Sequence, residues 1–249
     1  MIMTSATLSV VGKLDYFKSR VGAYNVEGLI LDSPFDYAKQ MRLALARDIP
    51  EPDKAGYTTH LPKRILQSIE RSHGKALVLF TSNTLMQSMA NELRSELEER
   101  EFQLLVQGGA IQRHELLEEF KRDIHSVLFG LDSFWMGVDV PGEALEHVVI
   151  TRLPFAVPNH PLIEARLELI EQRGGNPFME FSLPEAILKF RQGIGRLLRS
   201  RTDKGMVTIL DARILTKQYG RMFLSSIPPC PVEVIAADGE TEYLSTEQW

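Results

Sequence analysis

The stretch QGIGRLLRS, residues 192–200, carries an amide and two guanidiniums at a spacing that could do chemistry. On a helix, Gln192, Arg196 and Arg199 stand at i, i+4 and i+7 and stack into one stripe. The opposite side collects Ile187, Phe190, Ile194, Leu197 and Leu198 as a core face. Gly193 and Gly195 leave the flanks bare for close approach, although glycine inside a helix costs about 1 kcal/mol and needs compensation. Two readings fit this pattern. One is a solvated basic face with two packing glycines. The other is a phosphate or carboxylate clamp, in which planar, permanently charged forks meet negative charge and the amide bonds the same oxygens or an attacking water.

Other groups have similar double readings. Thr81, Ser82 and Asn83 follow an apolar run and precede a helical pattern, so they form either a plain N-cap cluster or a phosphate contact made with helix amides. Arg152 closes the run HVVITRL and is either a surface arginine or a backbone-phosphate ligand. In SFWMGVDVPG, 133–142, the aromatics suit anchoring, Gly137 permits close backbone approach, Asp139 suits a turn cap or a ligand contact, and Pro141-Gly142 fits a type II turn. The six histidines, His60, His73, His114, His125, His147 and His160, lack metal-ligand spacing and suit surface or capping roles.

These groups need elements to position them. The runs VEGLIL (26–31), ALVLFT (76–81), FQLLV (102–106), HSVLFGL (125–131), HVVITRL (147–153) and GMVTILD (205–211) are predicted strands. Helices are predicted near 14–20, 61–73, 84–97, 112–122, 161–172 and 184–198, with Thr84 and Gln87 as a capping box and Pro62 and Pro161 in first turns. Strands alternating with helices imply βαβ units and a mostly parallel sheet covered on both faces. Ligands then belong at the carboxyl ends of strands, in the loops after 81, 131, 153 and 211.

Composition narrows the classes. With 249 residues, 44% of them hydrophobic, the chain has ample material for a core. A net charge of -5 argues against a uniformly positive nucleic-acid surface, yet six Lys or Arg against one acid between Lys189 and Lys204 make a local basic patch. The one cysteine, Cys230, excludes an internal disulfide and a four-cysteine metal or iron–sulfur site. No apolar run reaches the roughly 18 residues of a membrane span, and a cytoplasmic location is expected. No G-x-G-x-x-G follows the first predicted strand, which disfavours a small-molecule Rossmann enzyme.

In their order along the chain, TSATLS (4–9), LVLFTSN (77–83), SFWMGVDVPG and QGIGRLLRS resemble motifs III, IV, V and VI of superfamily 2 helicases, the last matching Q-x-x-G-R-x-x-R. Together they resemble the DinG branch of the XPD-like DNA helicases. The resemblance implies an α/β fold: a RecA-like three-layer domain with a mostly parallel central sheet and helices on both faces. It implies the second of two motor domains, with 1–20 as the tail of the preceding domain and linker, 21–225 as the domain proper and 226–249 as a C-terminal tail. Arg199 would be the arginine finger, with Arg196 and Gln192 sensing the γ-phosphate. Gly137, Asp139 and Gly195 would lie at the nucleotide, and Thr81, Ser82, Asn83 and Arg152 at single-stranded DNA.

ATP and Mg2+ are the implied cofactors. The chain contains neither G-x-x-x-x-G-K-[ST] nor a D-E-A-H-type box, so Mg2+ and half of the ATP site are expected on the first motor domain, as is the iron–sulfur cluster of many family members. The expected whole is a monomeric 5′ to 3′ ATP-dependent motor serving DNA repair or replication, its fragment inactive alone. The competing expectation is a nonenzymatic domain that keeps the helicase fold and binds DNA or a protein. One departure from the resemblance is Met136, where relatives commonly carry an acid, which puts a carboxylate contact there in doubt.

Overall fold

The computed structural model describes residues 2–109, 111–135, 140, 143–157 and 160–244. Along the chain the elements are α1 (Asp15–Val21), α2 (Tyr37–Gln40), β1 (Met41–Ala46), α3 (Tyr57–Glu70), β2 (Ala76–Leu79), α4 (Asn83–Glu99), β3 (Gln103–Val106), α5 (Arg113–Arg122), β4 (Ser126–Gly130) and α6 (Asp132–Trp135). There follow β5 (His147–Ile150), α7 (Pro161–Gln172), a π-helical turn (Phe178–Ser182), α8 (Leu183–Ile194), β6 (Gly205–Ile209), α9 (Arg213–Thr216), α10 (Gly220–Leu224), β7 (Val232–Ile235) and β8 (Thr241–Leu244). The sheet order is β3-β4-β2-β5-β6-β1-β7-β8, parallel except for the antiparallel β7–β8 hairpin.

The sheet separates two cores. Leu77, Leu79, Val148 and Ile150 pack toward α6 and α8, through Trp135, Ile187 and Phe190. Val78, Val149 and Phe80 pack toward α3 and α4, through Leu61, Ile65, Met86 and Met89. β2, ALVL, is buried at every position, as a central parallel strand with covered faces must be. The α/β fold class is therefore as expected. Among the described residues, no helix is long and apolar enough to cross a membrane.

Several local expectations are corrected. VEGLIL forms no strand: it is irregular, with Leu29 and Leu31 largely exposed and no sheet partner among the described residues. A strand forms instead at MRLALA, β1, whose alanines have low β propensity but which is hydrogen-bonded between β6 and β7. Helix α3 starts at Tyr57, so Pro62 lies inside it. Helix α4 is capped by Ser82, whose Oγ accepts from Leu85 N at 3.3 Å, and Gln87 instead donates to Gln107 O. Histidine 147 is fully buried, with Ser72 and Thr208 hydroxyls at its two ring nitrogens. Finally, β7 and β8 carry the sheet into the segment 226–249.

Candidate functional site

Helix α8 is shorter than its sequence pattern. It ends at Ile194, and Gly195 leaves the helix with its N–H on Arg191 O, 2.9 Å. Tight turns follow, with Arg196 N on Gly193 O and Leu197 N on Ile194 O. The two closely spaced glycines weaken the helix here. Leu197 and Leu198 still reach the core, so the apolar face was correctly read although its last turn is not α-helical.

Gly193 compensates its helix cost by packing. A Cβ there would stand 2.8 Å from Trp135 Cε3 and 3.2 Å from Leu79 Cδ1. Trp135 cannot yield: it is fully buried and donates its indole N–H to Phe80 O at 3.2 Å. Phe134 is equally buried, so both aromatics of the SFWMGVDVPG run act as anchors. Met136, Gly137 and Asp139 of that run lie outside the described residues.

The turns after α8 still bring the stripe together. Gln192, Gly195, Arg196 and Arg199 line one pocket of about 330 Å3 with Arg191 and with Ser5, Ala6 and Thr7 of the N-terminal segment. Gln192 Nε2 donates to Thr7 Oγ1 at 3.3 Å, and Arg196 Nε donates to Gln192 O at 3.1 Å. Arg191 donates to the carbonyl and hydroxyl of Ser9, which fastens the segment 5–9 to α8. Burial pushes the Arg191 guanidinium below its ordinary pKa, though far from any loss of charge. Beyond the pocket, Asp203 accepts from the backbone N–H groups of Arg199 and Ser200, at 2.7 and 2.8 Å, and from the Ser200 hydroxyl. Despite partial desolvation, those hydrogen bonds and the Arg199 charge hold its carboxyl below the usual range. Gln40 ties the carbonyls of Ser200 and Asp203 to the start of β1.

Three guanidiniums, an amide and two hydroxyl residues, with no carboxylate among the described lining residues, make a site suited to a polyanion such as a terminal phosphate. Sequence spacing grouped Gln192, Arg196 and Arg199, the resemblance added Gly195, and all four line this pocket. It missed Arg191, whose only signal was membership of the basic patch, and the hydroxyls of Ser5 and Thr7, which are remote in sequence.

A groove of about 410 Å3 on the other face is larger, but its arginines are committed to structure. Arg64 donates to the carbonyls of Ala236 and Ile235, and Arg71 is paired with the buried Glu233. The smaller pocket is the one that gathers Gln192, Gly195, Arg196 and Arg199.

The remaining candidates stand elsewhere. Beyond α8 the loop returns to the start of β6, where Gln40 holds Ser200 and Asp203 near the Met41–Gly205 pair, while Gly193 packs on Leu79 at the end of β2. Thr81, Ser82, Asn83 and Arg152 lie at the carboxyl edge, just after β2 and β5. There Thr81 is half-buried, Ser82 spends its hydroxyl as a cap and Asn83 is exposed at the first helical position. The Arg152 guanidinium lies over the Tyr57 ring, 4.9 Å from its centre. Tyr57 donates to Thr151 O, and burial raises its hydroxyl pKa. Asp211, fully buried, pairs with Arg213 at 2.6 Å and accepts from Leu153 N at 2.8 Å, locking the loops after β5 and β6 together.

Comparison with known proteins adds the following. Residues 65–230 match the family described as helicase C-terminal domain. The chain is 40% identical over 230 residues to the ATP-dependent DNA helicase YoaA of Escherichia coli, covering 92% of this chain and 36% of that protein. It is 41% identical over 235 residues to the ATP-dependent DNA helicase DinG of Photobacterium profundum, covering 92% and 34%. The chain thus spans about a third of the length of these relatives. Among solved structures, an XPD helicase superposes with a TM-score of 0.59 at 17% identity, over 77% of this chain and 35% of that one.

Proposed function

Because the chain belongs to the helicase C-terminal domain family of the DinG/XPD-like helicases, we propose that it is the second RecA-like motor domain of an ATP-dependent DNA helicase. One observation carries this reading: Gln192, Arg196 and Arg199 converge with Thr7 on a single pocket without a lining carboxylate among the described residues. That donor set fits the terminal phosphate of ATP, which supplies the phosphoryl group when it is bound between this domain and a first motor domain. In this reading the first domain holds Mg2+ and the inner phosphates.

Arg199 meets the charge that develops on the transferring phosphoryl group, Arg196 braces it, and the Gln192 amide orients the attacking water. Asp203 acts through the backbone, setting where Arg199 begins its reach. Ser5 and Thr7, in the segment resembling motif III, put the domain junction in contact with the γ-phosphate sensors. Opening and closing of this pocket then moves the carboxyl edge, with Asn83, Thr81, Ser82 and Arg152, relative to the DNA grip of the first domain. Single-stranded DNA and the first motor domain are the proposed partners.

The experiment is fluorescence anisotropy of a labelled single-stranded oligonucleotide with the 249-residue chain, at about 50 and 200 mM salt, alongside ATP turnover. We expect binding that weakens by an order of magnitude or more with salt, and turnover at background. Absence of DNA binding at low salt, or affinity indifferent to salt, would overturn the reading.

A further inference from the structure

At the carboxyl edge, three separate loops deliver rings to one place. Phe155 follows β5, Phe178 opens the π-helical turn before α8, and Tyr219 stands between α9 and α10. Phe155 and Phe178 are stacked, with centroids 5.7 Å apart and an interplanar angle of 27°. Tyr219 lies 5.5 Å from Phe155 and 5.3 Å from Phe178. Beneath them Phe223, fully buried, stands 5.7 Å from Phe155 and 5.1 Å from the equally buried Phe190. The outer rings therefore rest on a packed floor and cannot sink further.

Phe178 stays 37% exposed on that floor, with Phe155 and Tyr219 half-buried beside it. A ring held rigid at the surface is costly to leave wet and ready to receive a flat apolar ligand. The polar surroundings select which one. Arg213 lies 5.6 Å from the centre of the Phe155 ring and is fixed by the buried Asp211. Arg152 stands three residues before Phe155 in the same loop, and Thr81–Asn83 follow the neighbouring strand β2. Asn83 and Arg152 thus share the carboxyl edge of the sheet with the three rings.

We propose that Phe178, supported by Phe155 and Tyr219, is a stacking platform for one unpaired nucleobase of the bound strand. This rests on the DNA-motor reading and adds residues and a contact mode to it. Stacking on a ring face is tolerant of base identity, as a translocating motor requires, and it is distinct from the phosphate contacts.

The test compares binding of a labelled oligothymidylate with that of an abasic oligomer of the same length, using the 249-residue chain. Phe178→Leu should weaken oligothymidylate binding roughly 5- to 100-fold and leave abasic binding unchanged, while Phe178→Trp retains or strengthens the former. Equal losses on both oligomers, or no loss on oligothymidylate, would overturn the platform, and the second result would leave the rings to a protein partner. If wild type binds neither oligomer at low salt, the DNA reading itself falls. As a measurement needing no variant, photocrosslinking of a 5-iododeoxyuridine oligomer to the unaltered chain should map to Phe178 or Tyr219. Crosslinks confined to other regions would contradict the proposal.

Discussion

Arg199→Ala, introduced into a complete polypeptide that contains both motor domains, should lower DNA-stimulated ATP turnover by about 10³-fold or more. The size of this effect follows from when the charge is needed. A guanidinium that meets developing charge in a water-poor cleft stabilises the transition state more than bound substrate, so its loss falls on turnover. The surrounding fold should tolerate the change. The core contacts of this segment are made by Leu197 and Leu198, and Asp203 accepts from the backbone N–H of Arg199, which alanine retains. Arg199→Lys keeps the charge but not the planar fork, and should recover only a small part of the rate. Near-normal turnover of Arg199→Ala, in a protein that melts like wild type, would refute the finger role.

The second large effect concerns stability and pH. Burial pushes the His147 imidazole down to about 3, and the nearby Arg71 charge acts in the same direction. In the unfolded chain it titrates near 6.5. Between those values the unfolded state binds the proton and the folded state does not, so this contribution to stability is intact above about pH 6.5 and is lost progressively as pH falls toward 3. At pH 5 the loss relative to pH 7 should be about 2 kcal/mol. Urea unfolding at the two pH values checks this: wild type should lose about that much more than His147→Gln. The variant will be weaker at pH 7 because the Thr208 and Ser72 contacts are disturbed. An equal pH response in both proteins would show that His147 is not the titrating group.

The parts of the fold with strong local patterning could be read from sequence. β2, β4 and β5 are short apolar runs between amphipathic helices, and a buried parallel sheet follows from their alternation. β1 escaped because MRLALA has neither β-branched residues nor alternation, and its strand character comes from the β6 and β7 backbones on either side of it. VEGLIL misled for the converse reason, being apolar without a partner. β7 and β8 were passed over in a segment read as Pro-rich and then acidic, although VEVI and TEYL carry β-branched and aromatic residues in alternation.

The site shows the same division. The spacing of Gln192, Arg196 and Arg199 pointed to a shared location, and they line one pocket, although the straight helix used to infer it ends at Ile194. Turns capped by Gly195 and held by Asp203 bring the three together instead. Arg191, Thr7 and the ring cluster of Phe155, Phe178 and Tyr219 depend on contacts between remote segments, to which local periodicity is blind.

In the proposed reading, nucleotide and DNA meet separate sets of residues, Gln192, Arg196 and Arg199 on one side and Thr81, Ser82, Asn83 and Arg152 on the other. The most direct measurement is the DNA concentration that half-saturates ATP turnover of the complete polypeptide, compared between Arg199→Ala and Arg152→Ala. The prediction is a split: Arg199→Ala lowers maximal turnover with the half-saturating DNA concentration unchanged, and Arg152→Ala raises that concentration severalfold with maximal turnover nearly intact. If Arg152→Ala abolishes maximal turnover, or if Arg199→Ala shifts only the DNA requirement, the assignment of the two residue sets is wrong.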